Sequence, residues 1–254
     1  MVNDKNHILL GGTAHSPEDV KALHDLGLQF AEIPITNLEK ISALKDTYKD
    51  LSKRTGLYYL CHGPREGDPN DTEKLENVYF QKLLRVLNIM PDLDMRLLTI
   101  HLWMDPRFVK QKAISYKVDF LSRFLNHGRG MGIEICLENL SETASHLSDI
   151  FKVLPHLNLT LDIGHAQLLS SQNTSYGFVE RFPERIKHVH IHDNRGGDSP
   201  EDDLHLPIGE GVVDFEGIFG ELERMGYCST CTLELRPAQI KACLAHVKKL
   251  LQIA

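Results

Sequence analysis

The chain has 254 residues, of which 28 are lysine or arginine and 35 are aspartate or glutamate, giving a formal net charge of −7. This acidic balance argues against a general nucleic-acid binder, which usually carries a basic surplus. Hydrophobic residues make up 42% of the chain and no apolar run approaches a membrane span, so the composition is that of a globular protein with one large core.

The amino terminus and the cysteines favour a cytoplasmic protein. The first ten residues lack a basic segment followed by a long apolar run, so no signal peptide is expected. The five cysteines are an odd number and are expected to be reduced thiols. Cys228 and Cys231 have redox spacing, but Cys231 enters an apolar strand, which favours a structural role.

Short apolar segments alternate with longer amphipathic segments along the chain. Strands are predicted at 7–13, 29–35, 57–62, 96–103, 133–139, 159–163, 186–192 and 230–235. Helices are predicted at 16–27, 37–55, 71–92, 107–130, 143–155, 175–184, 214–226 and 237–252. Eight such units imply parallel strands with right-handed crossovers, and they favour a (β/α)8 TIM barrel forming one domain over residues 1–254.

The longest irregular segment, at about 194–213, follows the seventh predicted strand. A loop of this length within a compact domain is usually functional or disordered. It leaves the carboxyl end of its strand, the face where TIM barrels place their active sites. We therefore expect this loop to contribute to a site.

Metal-ligand side chains lie at or just beyond the carboxyl ends of the later strands. They are His62, His101, Glu138, Asp162, His165, His190, Asp203, His205 and Glu234. A carboxylate after an apolar strand is costly to desolvate unless it is paired or binds a metal, which applies most clearly to Glu138 and Glu234. Singly, His62 or His101 is more typical of a hydrogen-bonded core histidine, but the whole set predicts a divalent-metal site. Mixed carboxylate and imidazole donors suit zinc, manganese or iron.

Five motifs carry a resemblance to a known family. LEN, LDIGH, HVHIHD, HLPIGEG followed by DF, and LELRP resemble, in this order, the xylose isomerase-like TIM-barrel superfamily. That superfamily contains sugar isomerases, sugar epimerases and zinc-dependent apurinic/apyrimidinic endonucleases. Each motif is weak alone, whereas the ordered set covers most of the chain.

The resemblance implies which residues bind metal. Four of them correspond to the single site shared by the isomerases and epimerases: Glu138, Asp162, His190 and Glu234. The other five match the further ligands with which the endonuclease branch holds a zinc cluster: His62, His101, His165, Asp203 and His205. The cofactor expected from it is therefore zinc or manganese, with one to three ions.

The favoured interpretation is a metal-dependent sugar or sugar-phosphate isomerase or epimerase. The metal would polarise the carbonyl of an open-chain sugar while the catalytic residues Glu138 and Glu234 transfer a proton. Four residues are expected to contact the substrate or line its pocket: His165, His192, Arg236 and Trp103. Arg195 or Arg236 could hold a phosphate or a distal hydroxyl of the substrate, but a surface salt bridge is the more usual role of such an arginine, above all for Arg195.

Two other interpretations remain open. A zinc-cluster phosphodiesterase would use Glu138 as a bridging ligand, but the loops after the second and third strands lack the apolar wedge and basic cluster that grip kinked DNA. A small carbohydrate is therefore preferred to nucleic acid as partner. The third interpretation is a non-catalytic metal-binding barrel. The oligomeric state is open, and a dimer would be compatible with the exposed helices.

Overall fold

The structure is a computed structural model that describes residues 7–253. Its centre is a closed barrel of parallel strands in which each strand pairs with the next and the eighth pairs with the first. The strands are β1 (Leu9–Thr13), β2 (Phe30–Pro34), β3 (Tyr58–His62), β4 (Leu97–Ile100), β5 (Glu134–Glu138), β6 (Asn158–Asp162), β7 (Ile186–Ile191) and β8 (Thr230–Leu233). The predicted TIM barrel is confirmed.

The helices surround the barrel. They are α1 (Pro17–Asp25), α2 (Leu38–Thr55), α3 (Thr72–Lys74), α4 (Gln81–Ile89), α5 (Gln111–Gly130), α6 (Ala144–Val153), α7 (Ser175–Arg181), α8 (Phe215–Arg224) and α9 (Pro237–Leu250). A π-helical turn, Leu75–Phe80, joins α3 to α4, so these elements occupy the single helix predicted at 71–92. No helix within residues 7–253 is long and apolar enough to span a membrane.

Local side-chain chemistry sets the helix ends. The Ser16 hydroxyl accepts a hydrogen bond from the backbone N–H of Asp19 at 3.2 Å, and Pro17 follows at the first helical position of α1. The Asn37 side chain caps α2 in the same way, at 2.8 Å from the backbone nitrogen of Lys40. Gly56 ends α2 with a φ of 75°, a left-handed conformation that favours glycine.

The barrel interior changes from apolar to polar along the strands. Because side chains alternate between the two faces of a strand, every second residue points inward. Near the amino ends, Phe30, Leu60, Leu97 and Cys136 form a buried apolar cluster. Two residues further along β4, the hydroxyl of Thr99 contacts that of Thr160 at 2.8 Å. The next inward positions hold the histidines and carboxylates of the candidate site.

Candidate functional site

The nine side chains predicted as metal ligands meet at the carboxyl ends of the strands. Together with His192 they form three groups, and within each group the possible donor atoms lie within 4.8 Å of one another. We define group A as His62, His101 and Glu138; group B as Glu138, Asp162, His190 and Glu234; and group C as His165, His192, Asp203 and His205. Glu138 belongs to both A and B, so these two groups are contiguous.

Glu138 lies at the centre of the site with its side chain wholly buried. Its Oε2 accepts hydrogen bonds from Nε2 of His101 at 2.8 Å and of His62 at 3.2 Å. Its Oε1 lies 3.2 Å from Nδ1 of His165 and 3.4 Å from Nδ1 of His190. Burial opposes its ionisation, but the surrounding imidazoles hold the pKa of Glu138 well below its ordinary value.

Several buried polar atoms of the site have no hydrogen-bond partner within the described chain. In groups B and C they are Glu138 Oε1, Asp162 Oδ2, His190 Nδ1, His192 Nε2 and Asp203 Oδ1. Leaving such an atom unpaired costs about 1–3 kcal/mol. His190 Nδ1 lies 3.3 Å from Glu234 Oε1. Two ligands that are each 2.0–2.2 Å from one zinc ion are themselves roughly 3–3.5 Å apart, so the residues fit a divalent cation.

Group C is built mainly from the two long excursions after β6 and β7. Asp203 Oδ2 lies 3.3 Å from His165 Nε2 and 3.2 Å from His205 Nε2. Burial opposes protonation of His205, but the hydrogen bond to Asp203 and nearby carboxylates raise its pKa to about 9. His205 also has a φ of 46°, a strained value for a residue with a side chain. Backbone strain at this position is consistent with a role in a site.

One carboxylate, that of Asp193, holds the loop that carries Asp203 and His205 in place through hydrogen bonds. Asp193 Oδ2 accepts the backbone N–H groups of Gly209 and Gly211, each at 2.9 Å, and Asp193 and Leu206 exchange backbone hydrogen bonds at 2.8 Å. A Cβ atom at Gly211 would lie 2.2 Å from Asp193 Oδ1, so this approach requires glycine. The predicted irregular loop at 194–213 is therefore an ordered cover of group C.

A cavity of about 370 Å³ opens above groups A, B and C. Its floor includes His62, His101, His165, His205 and Glu234, and exposed residues of its mouth include His15, Arg65 and Arg236. Burial opposes protonation of His62, but Glu138 and Glu234 raise its pKa to about 9. Burial lowers the pKa of His101. His165 and Arg236 thus lie where a substrate contact was predicted.

Two predicted pocket residues, Trp103 and His192, do not line this cavity. The Trp103 indole donates to Ser141 Oγ at 2.7 Å and stacks on Phe108 at 4.9 Å, so its polar and apolar surfaces are both used in the loop after β4. Its backbone N–H donates a hydrogen bond to the Glu66 side chain and is therefore not available for pairing with a neighbouring strand. β4 ends at Ile100 and not at 103 as predicted.

His192 is fully buried, with Nε2 at 3.2 Å from Asp162 Oδ1. This geometry places it among the metal-ligand types of group C. Of the two predicted catalytic glutamates, Glu234 lines the cavity, whereas Glu138 lies behind His62, His101 and His165.

One functional residue, Glu32, was missed by sequence reasoning. It lies in β2, is 1% exposed, and accepts hydrogen bonds from Nε2 of both His188 and His190 at 3.0 Å. Burial opposes its ionisation, but these two imidazoles hold the pKa of Glu32 well below its ordinary value. The available signal was a lone carboxylate within the apolar strand predicted at 29–35, whereas Glu138 was identified by its position directly after an apolar run.

Comparisons with known proteins agree with this fold. The uncharacterized protein MJ1614 of Methanocaldococcus jannaschii is 25% identical over 222 residues, covering 84% of this chain and 85% of that protein. A D-tagatose 3-epimerase-like protein superposes with a TM-score of 0.79 at 22% identity, covering 96% and 97% of the two chains. D-allulose 3-epimerase from Methylomonas sp. in complex with D-allulose superposes at 0.73 with 17% identity, covering 89% and 83%.

At sequence identities of 22% and 17%, the two superpositions show that the proteins share a fold. The sequence match is more specific, because the model of the family described as xylose isomerase-like TIM barrel matches residues 20–250. That range includes all of groups A, B and C. The chain therefore belongs to the xylose isomerase-like TIM-barrel family.

Proposed function

We propose that the protein is a metal-dependent enzyme that isomerises or epimerises a small carbohydrate. The observation that carries this proposal is the position of group B beside a cavity of about 370 Å³, within the usual size range of small-molecule sites. Structurally similar proteins include sugar epimerases, one of them in complex with D-allulose. This fits a carbohydrate substrate.

The metal would be held by group B, namely Glu138, Asp162, His190 and Glu234. Zinc or manganese fits this set of one imidazole and three carboxylates. When bound, such an ion polarises a carbonyl group and an adjacent hydroxyl of an open-chain sugar. The remaining chemistry belongs to the side chains that line the cavity.

Glu234 is placed to move the proton. It is the only carboxylate among the described residues that lines the cavity, and its side chain is 12% exposed. It can accept a proton from the hydroxyl-bearing carbon next to the carbonyl and return it to the carbonyl carbon, while the proton of that hydroxyl passes to the carbonyl oxygen. Glu138 is wholly buried behind the three histidines and does not line the cavity, so we assign it to holding metal and not to the predicted proton transfer. A single base acting on one face supports aldose–ketose isomerisation most simply.

A second candidate function, phosphoester hydrolysis at a multinuclear zinc centre, is favoured by one specific observation. Glu138 is shared between groups A and B, and group C lies beside them through the 3.2 Å contact of His165 with Glu138. Adjacent metal ions can clamp a phosphodiester and activate water. The cavity volume of about 370 Å³ and the net charge of −7 favour a small substrate over duplex DNA.

One pair of assays separates these functions. Protein loaded with zinc or with manganese is incubated in deuterated water with a panel of ketoses and aldoses, and deuterium at the carbons next to the carbonyl is followed by NMR. The same preparations are tested on an abasic-site duplex and on a small phosphodiester. Exchange that is lost in Glu234→Gln supports isomerase chemistry. Phosphoester cleavage without exchange would reverse the order of the two candidates.

A further inference from the structure

We propose that Arg65 and Arg236 form an anion-binding subsite at the mouth of the cavity, and that it selects a carbohydrate carrying a phosphate monoester. This inference rests on the proposed function, because it names the substrate class of the same cavity. It concerns binding by two residues at the mouth that belong to none of groups A, B and C.

Arg65 and Arg236 form no ion pair with any carboxylate within residues 7–253. Both side chains are exposed and line the cavity. Within the same residues, seven of the ten other arginines do form ion pairs with acidic side chains, as Arg107 does with Asp105 and Arg123 with Glu76. A guanidinium group presents a planar fork of N–H donors that matches a phosphate or carboxylate in bidentate geometry. Two such groups at one cavity mouth therefore provide suitable donors for an anion.

The surroundings of the arginines add to this preference. His15 lines the same cavity as the two arginines, and both burial and the positive charge of Arg236 lower the pKa of this histidine. Arg236 also directly precedes α9, a helix of 14 residues whose amino end carries a partial positive charge. Among the described residues that line the cavity, the only acidic one is Glu234 at the floor. The cavity is thus positive at its mouth and ligand-rich at its floor.

The chain keeps Glu234 and Arg236 close enough for one short molecule to contact both. Glu234 and Arg236 are two residues apart, so their Cα atoms are at most about 7 Å from each other. A sugar whose carbonyl end lies beside Glu234 can therefore place a terminal phosphate near Arg236 within the length of one open-chain molecule. A neutral sugar would leave both guanidinium groups without an anionic partner.

Calorimetric titration of the metal-loaded protein tests the subsite. D-fructose and D-fructose 6-phosphate are compared on the wild type, on Arg65→Ala and on Arg236→Ala. We expect the phosphate ester to bind at least about tenfold more tightly than the sugar, and each substitution to weaken only the ester, by about tenfold. Arg129→Ala is the matched control. Arg129 is exposed and unpaired within the described chain, and it lies at the carboxyl end of α5, which leads to the amino end of β5 and therefore away from the cavity.

Three results overturn the inference. Equal affinities for the two sugars, or no binding of the ester, show that the mouth does not select an anion. An ester preference that survives both substitutions shows that the phosphate contacts the metal and not the arginines. D-gluconate binding as tightly as the ester removes the assignment to phosphate. None of these requires turnover, so failure of the proposed isomerase chemistry is recognised separately by the exchange assay.

Discussion

Glu32 fixes the orientation of His190 from the side opposite group B. Both oxygens of Glu32 lie 3.0–3.1 Å from Nε2 of this ring. Because an ionised carboxylate only accepts hydrogen bonds, Nε2 carries a hydrogen, which leaves Nδ1 as the ring nitrogen that can bind a metal. Nδ1 has no hydrogen-bond partner in the described chain and faces Glu138 and Glu234. This is the usual arrangement of a carboxylate that supports a metal-binding histidine.

Replacing Glu32 should weaken metal binding without removing a ligand. In Glu32→Gln the neutral amide no longer favours the Nε2–H form of His190, and we expect the affinity of group B for zinc to fall by about 10–100-fold. Competition with a chromophoric chelator measures this affinity. Thermal unfolding of the metal-free variant separates loss of affinity from loss of fold.

Glu134→Gln is the control for Glu32→Gln, because Glu134 is exposed at the amino end of β5. An unchanged zinc affinity in Glu32→Gln, with the fold retained, would show that Glu32 does not orient His190.

The two glutamates of group B should differ in what their loss removes. Glu138 contacts both groups A and B, so Glu138→Gln should lower the number of bound metal ions and their affinity. Glu234 lies at the cavity, so Glu234→Gln should retain metal better and lose proton exchange, by at least about 100-fold as expected for a general base. Metal analysis by mass spectrometry and NMR exchange rates give the two numbers for each variant. Equal loss of metal in both, or retained exchange in Glu234→Gln, contradicts this division.

Asp193 should control the order of the loop over group C. Its carboxylate accepts several backbone N–H groups of this loop, and an asparagine there would turn an amide N–H₂ group toward some of them. We expect Asp193→Asn to increase the rate of proteolytic cleavage within 195–212 by about tenfold, consistent with about 1.4 kcal/mol of lost loop stability. Asp198→Asn, an exposed change in the same loop, is the control. Equal cleavage rates in both variants would exclude an anchoring role for Asp193.

The ion pair between Glu76 and Arg123 should make stability depend on pH. Two hydrogen bonds from Arg123, at 2.6 and 2.9 Å, and one from Tyr116 lower the pKa of Glu76 from 4.5 to about 2. A carboxyl group whose folded pKa is depressed stabilises the fold above its unfolded pKa, and this contribution is lost as the pH falls from 4.5 to about 2. Both side chains are more than one third exposed, so we expect only about 1 kcal/mol.

Urea unfolding at several pH values measures this contribution. Glu76→Gln should be less stable than the wild type at pH 7, and the difference should shrink as the pH falls through the window given above. Glu73→Gln, on the exposed surface of α3, should match the wild type throughout. A difference that persists unchanged to the lowest pH would mean that the charge of Glu76 is not its source.

The barrel and the clustering of the nine metal-ligand side chains at one face could both be predicted from the sequence, for the same physical reason. Parallel strands of alternating β/α units present their carboxyl ends on one face, so residues such as Glu138 and Glu234, nearly 100 positions apart, can be placed together without coordinates. Periodicity also located every helix to within a few residues.

The sequence could not show which of these side chains line the cavity and which are buried beneath other residues. Alternation along β7 puts His190 and His192 on one face, but it does not say that His192 is covered by the loop from 194 to 213. Glu32 and His190 are 158 positions apart, and their contact depends on the barrel closing. Trp103 was predicted to line the pocket because it follows His101. In the structure its backbone N–H donates a hydrogen bond to the Glu66 carboxylate and its indole N–H donates one to Ser141, in the loop after β4.

We propose above that groups A, B and C together bind transition-metal ions. A crystal structure of protein purified from zinc- or manganese-supplemented cells, with anomalous diffraction data at the metal edge, tests this directly. We expect at least one anomalous peak at full occupancy, coordinated by Glu138, Asp162, His190 and Glu234, with any further peaks bounded by the ligands of A or C. Empty density at these side chains in metal-supplemented crystals, or a metal bound only elsewhere, would contradict it.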